Sequence, residues 1–117
     1  MSKYKIQRYK STLTIADGQT SASESSVALN GILKGILVNA PNLDGSVTLT
    51  VTITDADSFT VYSKSSISEN TKTAIYLDAS NNPLEIPLSG NHTITITASG
   101  SQSGGNDTVE VILLIER

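Results

Sequence analysis

The sequence predicts an all-β protein: one antiparallel β-sandwich domain of about eight short strands. Three observations predict it. First, two segments, GSVTLTVTITD and HTITITAS, alternate apolar residues with threonine at strict period two, the signature of half-buried strands. Second, turn-forming residues (Gly, Asn, Asp, Ser, Pro) punctuate the chain every 8 to 12 residues or so, and no apolar stripe of period 3.6 runs for ten residues. Third, serine and threonine together number 31, as many as Ile, Leu, Val and Phe combined, and threonine favours strands while serine favours turns and strand faces. At 117 residues the chain suits one domain.

From the N-terminus, Lys3, Lys5, Arg8 and Lys10 give residues 1–10 a charge of +4, whereas the rest carries four bases and all eleven acids. The imperfect alternation of Lys3, Lys5 and Gln7 with Tyr4, Ile6 and Arg8 describes either an edge strand guarded by cations or a docking arm on a partner, with the domain proper at 11–117 able to fold without it. Tyr4 and Tyr9 interleave with the bases as stacking residues would, but nucleic acid is the weaker reading of so short a segment. LTIA (13–16) is a strand closed by the Asp17-Gly18 turn, and TSASESS (20–26) is an outer strand or a loop.

ILKGILVNA (32–40) is nearly all apolar, as for a strand buried on both faces or a short helix; Gly31, Gly35 and Asn39 argue against the helix, and Pro41 ends the run. Its alternation sets Ile36 and Val38 against Leu33 and Leu37. In 45–55, Val47, Leu49, Val51 and Ile53 face the core and Thr48, Thr50, Thr52 and Thr54 face solvent. FTVYS follows an Asp55-Ala56-Asp57 turn; residues 66–72 have room for one helical turn; TAIYLD ends at Asp78; LEIPL carries Pro87 and belongs at an edge. HTITITAS (Ile94, Ile96 and Ala98 inward) and TVEVILLIE (Val109, Val111, Leu113 and Ile115 inward) flank a Gly- and Ser-rich segment and read as a β-hairpin. Eight strands so spaced suit an immunoglobulin-like or jelly-roll-like sandwich.

The search for chemistry excludes more than it finds. There is no cysteine, so no disulfide, thiolate metal site or thiol nucleophile. The single histidine, His92, reads as a solvent-facing strand residue, and no G-x-S-x-G elbow or phosphate-cradling loop accompanies it. No cofactor is implied. Asp55 and Asp57, with Asp44 or Asp78, are the weak calcium candidates, although paired turn carboxylates ordinarily bond their own backbone. No apolar run is long enough to span a membrane as a helix, and MSKYKIQRYK lacks the apolar stretch of a signal peptide.

Two features point to partners. A surface of hydroxyls rather than charges can lie against another protein at low desolvation cost. On the last strand, Ile112 and Leu114 oppose the core face, so the strand is apolar on both sides. The partner-binding candidates are therefore Lys3, Lys5, Arg8, Lys10, Ile112 and Leu114.

Residues 45 to 116 also resemble small β-sandwich virion structural proteins of tailed bacteriophages, of the capsid decoration (cement) or neck type. The resemblance lies in a Val- and Thr-rich strand, Asp55-Ala56-Asp57, a Phe59-to-Ser63 strand, Tyr76-Leu77-Asp78, the Leu88-to-Thr97 stretch, a Gly-rich turn and an apolar last strand. It implies a non-enzymatic virion protein, assembled in the host cytoplasm, that binds the major capsid protein or neck proteins and itself. No functional residue carries over from it. The competing expectation is a carbohydrate- or receptor-binding module of a tail fibre or cell surface, which the absence of Trp and the presence of one Phe weaken.

Overall fold

A computed structural model describes residues 5–103 and 105–117; Lys3, Tyr4 and Gly104 lie outside the described residues. The described chain forms nine strands and no helix: β1 (Ile6–Ile15), β2 (Ser21–Ala28), β3 (Gly31–Ala40), β4 (Thr48–Asp55), β5 (Thr60–Ser68), β6 (Thr71–Ile75), β7 (Ile86–Leu88), β8 (Asn91–Ala98) and β9 (Asp107–Glu116). They make two antiparallel sheets. The first has the order β1-β9-β3-β6, with β7 beside the start of β3; the second has the order β2-β8-β4-β5. The fold is a β-sandwich.

The alternating side chains meet between the sheets. Leu13, Ile15, Val109, Val111, Leu113, Leu33, Ile36 and Val38 from the first sheet are buried against Leu49, Val51, Ile53, Ile94, Ile96 and Ile67 from the second. Every core position expected from 45–55, 92–99 and 108–116 is buried, with Val47 at the margin. The apolar area removed from water by these fully covered branched side chains is the main favourable term.

Several elements differ from the sequence reading. The basic segment from Ile6 onward is not separate from LTIA: β1 runs unbroken across residues 10 and 11 and pairs with β9 from Ile6↔Glu116 to Ile15↔Asp107. It is an edge strand of the first sheet. β3 is central, but its phase breaks. A bulge between Leu33 and Gly35 turns Leu33 inward with Ile36 and Val38, and sends Leu37 alone to the outer face. Residues 66–72 hold no helical turn. Ser66 (φ 60°) and Asn70 (φ 51°) adopt left-handed backbone, and Ile67 pairs with Leu49 in the sheet.

The largest correction concerns β8 and β9. They are not a hairpin, since β8 lies in the second sheet and β9 in the first. Both bury one apolar face, so they oppose each other across the core instead of pairing edge to edge. Their connection crosses the end of the sandwich, where Gln102 is fully buried. Its Oε1 accepts the Asp44 N–H (2.7 Å), its Nε2 donates to the Gly100 carbonyl (3.1 Å), and its own N–H donates to Gln19 O (3.0 Å). One residue thus ties three loops, through its side-chain amide and its own backbone N–H.

Candidate docking face and end groove

On the outer face of the first sheet, register sets outward side chains in rows. Lys10, Ile112, Leu37 and Ala74 form one row across β1, β9, β3 and β6, and Thr12, Glu110, Asn39 and Lys72 form the next. Arg8 and Leu114 stand opposite each other, with Gly35 beyond them. The Tyr76 ring approaches Gly35 so closely that a Cβ there would stand 2.9 Å from the ring and 3.2 Å from Leu114 Cδ1, so a glycine is what lets the ring come this near the strand. Of the partner candidates expected from sequence, Arg8, Lys10, Ile112 and Leu114 therefore share one surface. Lys5 is exposed at its corner, its carbonyl accepting the Arg117 N–H (3.0 Å). Ala74 and Tyr76 are members of the surface that sequence alone missed, whereas Leu37 belongs to the run whose two apolar faces the sequence already showed.

Ile112, Leu114 and Leu37 are half-buried, whereas Tyr76 and Ala74 are exposed. A shallow concavity of about 320 Å³ lies over Ile112, Leu37 and Ala74, rimmed by Asn39, Lys72 and Glu110. Lys10 Nζ sits 2.8 Å from Glu110 Oε2, and Asn39 Nδ2 donates to Glu110 Oε1 (3.0 Å). The Lys10 bond, then the Asn39 bond, hold the Glu110 carboxyl below its ordinary pKa. Lys34 pairs with Glu85 (3.0 Å). Arg8 has no ion pair among the described residues. The face is an apolar floor with a mixed, partly cationic rim.

The edge shared by β1 and β2 is closed by an inward acid. Glu24 accepts the Tyr9 hydroxyl on Oε2 (2.8 Å) and the buried Ser11 hydroxyl on Oε1 (2.6 Å), joining the two sheets. Burial, then the bond to Glu24 and its charge, push Tyr9 up to about 12. Tyr9 is thus a bridge between the sheets rather than a stacking residue. The outer face of the second sheet is a grid of hydroxyls in which Ser23 meets Thr95 (2.9 Å) and Thr52 meets Ser63 (3.3 Å).

The calcium candidates do not converge. Asp55 Oδ1 accepts the N–H groups of Asp57 and Phe59, each at 2.9 Å, closing its own turn. Asp78 does the same for Ser80 and Asn82 (2.9 and 3.0 Å), while Asp44 bonds Ser103 in the loops at the opposite end of the sandwich. Among the described residues no three Asp, Glu or His side chains are grouped to hold a metal ion.

His92 is not solvent-facing. It pairs with Asp55, shares the inward phase of Ile94 and Ile96, and is 2% exposed. Its Nδ1 lies 2.8 Å from the Gly90 carbonyl, which can only accept, so Nδ1 carries the hydrogen and Nε2 is left for other contacts. A polar groove of about 290 Å³ lies here, lined by Ser25, Ser26, Thr54, Asp55, Asn91 and His92 among others. It exists because β2 bulges between Glu24 and Val27, with Ser26 at φ 58°.

No protein-family model matches the chain, and no curated protein matches it. Solved structures are similar to it. A chain of the cyanophage Pam1 capsid asymmetric unit is 18% identical, with a TM-score of 0.55, over 96% of this chain and 83% of that one. A chain of infectious bursal disease virus, Gx strain, is 14% identical at a TM-score of 0.45; the match takes in 98% of this chain but only 32% of the viral one. The carbohydrate-binding module CBM36, in complex with calcium and xylotriose, is 16% identical at a TM-score of 0.48, over 96% of this chain and 93% of that one. The cyanophage chain thus shares the β-sandwich fold of this one.

Proposed function

We propose that the chain is a non-enzymatic structural protein of a bacteriophage particle, a capsid decoration protein that docks on the major capsid protein through the outer face of its first sheet. One observation carries the reading: Arg8 and Lys10 stand directly opposite Leu114 and Ile112, so that a cationic edge strand borders an apolar floor extended by Leu37, Ala74 and Tyr76. An apolar centre with a charged rim is the anatomy of a protein interface, the centre supplying affinity and the rim steering approach. The chain of cyanophage Pam1 that shares the fold belongs to a capsid asymmetric unit and is of similar length, which agrees with this reading. Such a protein would be found in the virion after assembly in the host cytoplasm. Quantitative mass spectrometry of purified particles tests it. A copy number near that of the major shell protein supports decoration, a handful of copies per particle points to the neck, and absence from particles removes the proposal.

The carbohydrate- or receptor-binding reading has one observation in its favour, the polar groove beside His92. That groove lies at one end of the sandwich, away from the Ile112 row, so the two surfaces are separable by mutation.

A further inference from the structure

The groove at the Asp55–His92 end gathers hydroxyls, an amide, an imidazole and a carboxylate in one concavity. Ser25, Ser26, Thr54, Ser58 and Thr93 bring hydroxyls, Asn91 an amide, His92 an imidazole and Asp55 a carboxylate, around about 290 Å³. That volume is near the lower end of small-molecule sites. The groups are held by structure rather than by chance of exposure. The Ser25–Ser26 bulge is fixed by a left-handed Ser26, the imidazole is locked by Gly90, and Asp55 is locked by two backbone N–H groups on Oδ1, while Oδ2 accepts no hydrogen bond among the described residues. Next in the chain to Ser58 is Phe59, 69% exposed and the most exposed large apolar residue among those described.

We propose that this groove binds a neutral saccharide of one or two rings. A sugar ring is amphipathic: its hydroxyls need partners that both donate and accept, and its C–H face needs an apolar platform. Hydroxyls and an amide do both, the Asp55 oxygen accepts, and Phe59 is the exposed apolar side chain next in the chain to the lining residue Ser58. Asp55 is the only formally charged lining residue and Asp57 follows in the same turn, so an anionic sugar would be repelled. The inference rests on the second reading above, that of a carbohydrate-binding module, and does not depend on what the first sheet docks against.

The test is an NMR titration of the full ¹⁵N-labelled chain with glucose, galactose, mannose, N-acetylglucosamine, cellobiose and lactose, with glucuronate and glycerol as controls. At least one neutral sugar should give saturable shifts at Ser26, Asp55 to Phe59 and Asn91 to Thr93, with a Kd on the order of 1 mM, as a few solvent-competed hydrogen bonds allow. Asn91→Ala and Phe59→Ala, both at exposed positions, should retain the folded spectrum and each weaken binding about tenfold. Absence of saturable shifts with every neutral sugar, shifts equal to those with glycerol, or binding untouched by both substitutions would each overturn the proposal.

Discussion

Lys10 of β1 stands directly opposite Ile112 of β9, and both side chains lie on the outer face of the first sheet. The basic segment and the apolar strand are therefore one surface. The same register makes β1 structural: Tyr9, one residue before, packs on the core while its hydroxyl reaches Glu24 in the other sheet. Deleting residues 1–10 should remove half of β1, strip the cover from Leu113 and Ile115, and unfold the domain or lower its melting temperature by well over 10 °C, on the scale of roughly 4–8 °C per kcal/mol for a domain of this size. Circular dichroism of the deletion checks this. A melting curve like the full chain's would show that β1 contributes little.

The face assignment of β4 makes a paired prediction. Leu49 is fully buried, whereas Thr50 lies on the hydroxyl-rich outer face. Leu49→Ala should cost about 2–5 kcal/mol through lost burial and a cavity. Thr50→Ala should cost within about 1 kcal/mol, the scale of strand propensity. Urea unfolding of both variants measures the difference; equal losses would contradict the packing.

The bridge between Tyr9 and Glu24 predicts an alkaline limb. Tyr9 holds its proton up to about pH 12 against an ordinary value of 10.0, chiefly because it is buried and secondarily because a phenolate would face the Glu24 carboxylate. Its folded pKa is raised, so its contribution is complete below pH 10 and is lost as pH rises toward 12. Denaturant unfolding across that window should show stability falling more steeply for the wild type than for Tyr9→Phe. Glu24→Gln should lower the Tyr9 pKa without restoring its ordinary value, because burial remains. Identical pH slopes for wild type and Tyr9→Phe would show that the pair is not coupled to folding.

Strict period two made β4, β8 and β9 legible, down to the inward positions of Leu49, Ile94 and Val111. The phase of β3 was not legible, because the bulge at Lys34–Gly35 inserts one residue and reverses every later side chain. Nor was the separation of β8 from β9. A Gly- and Ser-rich loop shows where the chain turns but not which sheet receives it. His92 was misread from its neighbours Gly90 and Asn91, although its spacing from Ile94 and Ile96 already set it inward. In the docking face, the charges and Ile112 could be found from sequence. Ala74 and Tyr76 could not, because only sheet order sets β6 beside β3, one strand away from β9.

The most direct test of the docking account is co-sedimentation of the purified chain with phage shells that lack it, comparing wild type, Ala74→Arg, Arg8→Gln and Thr95→Arg. Ala74 is exposed beside Leu37, so the arginine should leave the fold intact while obstructing the apolar floor. Thr95 lies on the opposite sheet. Ala74→Arg is expected to abolish sedimentation with the shell, and Thr95→Arg to bind like the wild type. Arg8→Gln should bind more weakly and lose salt sensitivity, since a rim charge acts mainly through screened attraction. Full binding by Ala74→Arg together with loss in Thr95→Arg would contradict the account and move the docking surface to the hydroxyl grid of the second sheet.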